Sequence, residues 1–165
     1  MLELREKVNV TLGWVLVVIM AVMVLNVLLQ VAARYLGVSA PFTEELAGYL
    51  LVWVGLLGAS YATGRNLHLA IDLLPRRSSE ENQRRLNLII NTLVLLFALT
   101  AMVIGGLRLV YITLSLDQRS PVMEIPKGYI YTVVPISGLF IMFFSVLNMF
   151  SNPWKAQEEE QLPVE

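Results

Sequence analysis

The stretch PFTEELAGYLLVWVGLLGASYATGRNLHLAIDLLP, residues 41–75, decides the fold. Glu44 and Glu45 open it, an uncharged run of 19 residues (46–64) follows, and Arg65 begins a basic, amphipathic exit that closes at Pro75. A helix rises about 1.5 Å per residue, so roughly 20 residues cross the ~30 Å of bilayer hydrocarbon. The run therefore reads as one membrane-spanning helix with Trp53 near its centre.

Three further uncharged windows accompany it. Residues 8–33 lie between Lys7 and Arg34, 86–107 between Arg85 and Arg108, and 128–154 between Lys127 and Lys155. A charge at mid-bilayer costs ~2.5–3.5 kcal/mol on insertion scales, so the empty windows predict four transmembrane helices. A chain of 165 residues that is 56% hydrophobic, with mean hydropathy +0.66, belongs to the membrane class on composition alone. The expected fold is an all-α integral membrane protein, its four spans within residues 1–150. An acidic, proline-containing tail at 151–165 is expected to be disordered.

Between the second and third spans, Leu67, Ala70, Ile71 and Leu74 share one helical face and His68 and Asp72 another, which predicts a short interfacial cytoplasmic helix over Arg65–Leu74. Ser78 and Glu81 have capping-box spacing and mark the start of the third helix. The outer loop is expected at 108–127, where Ser120-Pro121 and Ile125-Pro126 favour extended backbone. Pro135 should kink the fourth span by removing the bond to the Tyr131 carbonyl. The first window far exceeds the ~7–15 residues of a signal core, and Pro41 directly follows the small-residue site Val38-Ser39-Ala40, so it reads as a retained helix.

Basic residues set the orientation. With a cytoplasmic N-terminus the inner segments carry eight (Arg5, Lys7, Arg65, Arg76, Arg77, Arg84, Arg85, Lys155) and the outer segments four (Arg34, Arg108, Arg119, Lys127). The positive-inside rule then places both termini and the 65–85 loop in the cytoplasm. Other chemistries lack their residues. There is no cysteine for disulfides, thiolate metal sites or thiol nucleophiles, and the single histidine, His68, cannot supply paired haem or metal ligands. A net charge of −1 gives no argument for nucleic acid. No catalytic, cofactor or metal residues are expected.

Polar residues within the spans have two readings. Asn26 with Gln30, and Asn87 with Asn91, are spaced four apart on one face, suiting a substrate path or, more simply, interhelical hydrogen bonds. Glu44 and Glu45 could form an ion site or a partner contact. The simpler reading is acids at a helix N-terminus, with Arg34 across the short loop as a partner. Neither acid lies deep enough for an embedded coupling site. Gly48, Gly55 and Ala59 form a small-residue stripe for close backbone approach, and the indole of Trp53 requires a partner that lipid cannot supply. These seven residues (Arg34, Glu44, Glu45, Gly48, Trp53, Gly55 and Ala59) are the candidate subunit contacts.

In order along the chain, Arg34-Tyr35, Thr43-Glu44-Glu45, Trp53, Gly58-Ala59, His68, Asp72, Leu74-Pro75, Ser120-Pro121, Ile125-Pro126 and Pro135 form a set. On these residues the chain, from about 10 to 150, resembles the DctQ-like small membrane subunit of tripartite ATP-independent periplasmic (TRAP) transporters. The resemblance implies a heteromeric importer of the bacterial inner membrane. In it, a soluble periplasmic binding protein captures an organic acid and a large membrane subunit moves it on a sodium gradient. The small subunit then braces the large one and helps dock the binding protein, with membrane lipid as its surroundings. Glu45 and Trp53 match the family pattern without an assigned chemical role. A self-sufficient four-helix multidrug exporter is the rival reading, but it would need an embedded glutamate, and no span contains one. A quinone or haem redox protein would need paired histidines or cysteines.

Overall fold

The computed structural model describes residues 2–65 and 80–150. The expected interfacial helix beyond Arg65, the capping position Ser78 and the 151–165 tail lie outside the described residues. Helix α1 spans Leu2–Tyr35 and α2 Pro41–Gly64. The third span is continuous but composite: α3 (Glu80–Phe97), a π-helical stretch (Ala98–Ile104) and α4 (Gly105–Ser115). The fourth comprises α5 (Lys127–Tyr131) and α6 (Val133–Phe150). All four spans are long and apolar enough to cross a membrane, as the charge-free windows predict.

Local chemistry explains the breaks. Pro41 opens α2 where its missing N–H would have no helical partner. Gly37, at φ +68°, supplies the left-handed residue of the turn after α1. Pro135 lacks the N–H that would bond Tyr131, and the helix is interrupted at Thr132. The Thr132 amide turns back to the Tyr129 carbonyl at 3.4 Å, and Ile136 N–H bonds the Thr132 carbonyl at 3.2 Å.

One boundary differs from expectation. The third span runs past Arg108 to Ser115, so the loop occupies 116–126 instead of 108–127. A charge ends an apolar window without ending a helix. Arg108 is exposed, and its long stem lets the guanidinium reach the interface while the backbone stays helical. The loop itself is tightly folded. Ser120 N–H bonds the Ile125 carbonyl and Lys127 N–H the Gln118 carbonyl, both at 2.9 Å.

The helices pack in series, α1 on α2, α2 on α6, and α6 on the third span. Leu12, Leu57, Val133 and Phe144 form one core cluster, and Ala98, Met102 and Ile141 the other. Three glycines, Gly106, Gly138 and Gly128 (the last against Leu114), allow the third and fourth spans to meet closely. A Cβ on Gly138 would lie 2.8 Å from Met102 Cβ, and one on Gly106 would lie 2.9 Å from Pro135 Cδ. By contrast, a Cβ on Gly48, Gly55 or Gly58 would meet nothing within 4 Å. Gly138→Ala is therefore expected to destabilise the protein by ~1–3 kcal/mol through overpacking. Gly55→Ala should be neutral, or stabilising by up to ~1 kcal/mol through lower backbone entropy. Thermal unfolding in detergent micelles compares the two, and equal losses would refute the packing assignment.

Candidate functional site

Helix α2 is the spine to which the other spans are fastened. At its Glu45 end, the Asn26 side-chain amide of α1 donates to the Thr43 carbonyl at 2.8 Å. Glu45 reaches the 116–126 loop. One carboxylate oxygen accepts the backbone N–H groups of Val122 (3.2 Å) and Met123 (3.1 Å), and the other accepts Tyr49 O–H at 2.7 Å. Tyr49 is four residues on, hence on the same helical face. The Met123 N–H also approaches the hydroxyl of buried Ser120 at 3.2 Å, so acid, hydroxyl and turn form one knot. Two loop residues, Asp117 (φ 44°) and Glu124 (φ 54°), adopt left-handed backbone conformations uncommon for side chains of their kind.

Half-way along, Trp53 donates its indole N–H to the Ile130 carbonyl at 3.0 Å, in the turn just before the Thr132 interruption. Ser60 O–H contacts the Ser137 carbonyl at 3.1 Å. At the Arg65 end the bonds form a relay through all four spans. Asn91 Nδ2 donates to Asn87 Oδ1 (2.6 Å), Asn87 Nδ2 to the Asn148 carbonyl (3.0 Å), and Asn148 Nδ2 to the Thr63 carbonyl (3.1 Å). Arg5 then donates from α1 to the Gly64 carbonyl at 2.8 Å, a cation at a helix C-terminus. Gly64 itself is closely enclosed, since a Cβ there would lie 2.8 Å from Asn9 Oδ1 and 2.9 Å from Phe144 Cζ.

The candidate contact residues separate into two groups. Trp53 and Glu45 are engaged inside the chain, with α5 and with the loop. Gly48, Gly55 and Ala59 lie on an exposed face of α2, together with Leu51 and Val52. Arg34 and Glu44 line an open cleft of about 660 Å³ between the ends of α1 and α2. They do not pair with each other. The ion pairs among the described residues are Arg85–Glu81 and Arg119–Asp117, and the nearest partner of Glu44 is Gln30 Nε2 at 3.5 Å. The hydrogen bonds made by Arg5, Tyr49, Ser60, Ser120 and Asn148 have no counterpart in the sequence reading. Asn148, an amide in an apolar window, carries a signal that points to one. Among the described residues no group of three or more His, Asp or Glu side chains could hold a metal ion.

Four apolar spans tied carbonyl by carbonyl, with no charged side chain buried among the described residues, define an all-α integral membrane bundle. Residues 23–153 match the family model described as "Tripartite ATP-independent periplasmic transporters, DctQ component", and the chain belongs to this family. It is a small permease subunit of a TRAP transporter. It is 27% identical over 154 residues to a protein of Haemophilus influenzae assigned as a TRAP transporter small permease protein, covering 92% of each chain. It is also 26% identical over 141 residues to the isethionate TRAP transporter permease protein DctMQ of Oleidesulfovibrio alaskensis. That match covers 76% of this chain but 22% of DctMQ.

Removing the acceptor at residue 45 tests the knot. Glu45→Ala should raise hydrogen exchange at the Val122 amide by roughly tenfold or more, because it loses its partner, and at the Met123 amide by less, because Ser120 Oγ still accepts from it. Glu44→Ala should leave those amides at wild-type protection, since Glu44 contacts neither. Unchanged exchange in Glu45→Ala would show that the loop holds itself.

Proposed function

We propose that this chain is the non-catalytic brace of a sodium-coupled importer of organic acids in the bacterial inner membrane. It supports a large membrane subunit and presents its outer loop where a periplasmic binding protein docks. The observation that carries this reading is how the buried polar groups are used. The donors of Asn26, Trp53, Ser60, Asn87 and Asn148 all go to carbonyls of the same bundle, and no span buries a charge that could couple an ion. A large membrane partner is supported by DctMQ, in which the matching sequence makes up 22% of a much longer chain. The isethionate in that protein's name, an organic acid anion, supports the substrate class.

The contact with the large subunit is proposed along the exposed α2 face bearing Gly48, Gly55 and Ala59, where nothing in the chain fills the space a Cβ on Gly48 or Gly55 would enter. Arg34 and Glu44, unpaired at the end of the same region, extend that surface. Gly55→Leu should leave this chain as stable as the wild type while lowering co-purification with the large subunit and organic acid uptake by the assembled transporter. Trp53→Ala should act differently. It opens a cavity inside this chain, costing up to ~3–5 kcal/mol and less for a ring that is only half-buried, and so lowers stability before assembly is measured. Normal co-purification of Gly55→Leu would move the interface to another helix.

The same proposal places the Arg65 end and both termini in the cytoplasm, from eight basic residues against four. In this cysteine-free chain, Val122→Cys should react with an impermeant thiol reagent on intact cells, and Ser79→Cys should react only after lysis. The reverse pattern would invert the topology.

A further inference from the structure

Helix α1 is attached to the bundle mainly through α2, leaving a groove of about 400 Å³ between α1 and α6. Its floor is Trp53 and Leu57 of α2, and its walls include Leu12, Val133 and Phe140. All of these are apolar apart from the indole N–H, which is bonded elsewhere, to Ile130. At the mouth stands Lys7, exposed, its ammonium engaged in no hydrogen bond or ion pair with the described residues.

We infer that this groove holds one acyl chain of an anionic phospholipid whose phosphate is met by Lys7. Three features favour that occupant. The groove lies within the length of the spans, where its surroundings are hydrocarbon. The α1 residues that line it run from Lys7 to Val15, about 12 Å of helix, close to the ~15 Å that one leaflet contributes to a ~30 Å hydrocarbon core, so a chain anchored at Lys7 spans the groove. Finally, the only charge on its lining is a cation, at the end where α1 enters the bilayer, which is where a phosphate lies when its chain points inward. The lipid then fills the gap beside α1 and gives Lys7 its counter-ion.

Trp53 reports on the groove directly. The chain has three tryptophans, so W14F/W154F leaves Trp53 alone. The full-length protein with this background is reconstituted in phosphatidylcholine vesicles containing a minor fraction of acyl-brominated phosphatidylglycerol or acyl-brominated phosphatidylcholine, and Trp53 quenching is measured. Phosphatidylglycerol should bind about fivefold better, the scale of one lysine at an anionic surface. Lys7→Gln should remove that preference. Arg65→Gln should retain it, because Arg65 lines a separate groove on the other flank of α1. Ile136→Phe, which narrows the α1–α6 groove without touching Lys7, should reduce quenching by both lipids. Equal quenching by the two lipids in the unaltered groove, or a preference that survives Lys7→Gln, would overturn the assignment. So would protection of Trp53 from both lipids once the large subunit is bound, since the groove would then belong to that subunit.

Discussion

Hydrocarbon offers no hydrogen bonds, and that constraint governs the arrangement of this bundle. A polar side chain within a span must find a partner in protein or be driven out of the membrane. Here most partners between spans are backbone carbonyls on neighbouring helices, and Asn9 Oδ1, Ser145 Oγ and Asn148 Oδ1 are the buried exceptions among the described residues. Thr43, Thr63 and Gly64 of α2 receive side chains from α1 and α6, while α2 sends Trp53 to Ile130 and Ser60 to Ser137. Each bond of this type averages only ~0.6 kcal/mol in a membrane. Their value is positional: together they fix the register of α1 and the fourth span against α2 and of the third span against the fourth, while the apolar clusters around Phe144 and Met102 supply the packing.

In this bundle the amides and hydroxyls that reach between spans are bonded to its own carbonyls, and Glu45 is bonded to the 116–126 loop. Glu45 in particular converts what would be a loose connection into a surface of fixed shape, attached to the spine by two backbone N–H groups. On the reading proposed above, such a frame gives a large membrane partner a fixed surface to pack against. The exposed small-residue face of α2 is the part of that frame left smooth.

Much of this was legible in the sequence. Four charge-free windows became four spans because the cost of burying charge is large and independent of detail. The Asn87–Asn91 pair became part of a relay because amides four apart must face the same way. The misreadings came from elsewhere. Arg108 was taken as the end of a helix, although a flexible side chain can leave the membrane while its backbone stays helical. The glycines in close packing inside the chain are Gly64, Gly106, Gly128 and Gly138, while Gly48 and Gly55 leave their face of α2 open. Spacing places residues on a face without saying which face meets which neighbour. Arg5, whose bond crosses 59 residues of sequence to Gly64, has no local signature at all.

The π-helical stretch at Ala98–Ile104 settles a problem of angular phase. Asn87, Asn91, Ala98, Met102, Gly106 and Thr113 are the buried positions of the third span. On an uninterrupted α-helix advancing about 100° per residue, Gly106 and Thr113 would lie roughly 80–100° around the axis from Asn87. The far half of the span would then be turned about a quarter of a circle from the near half. A π turn takes in one additional residue, setting everything beyond it back by about one residue of rotation. The two halves of the span thereby share one azimuth, like a splice between two out-of-step screws. Extrapolating the helical pattern of either half past the splice places the other half about a quarter-turn out of position.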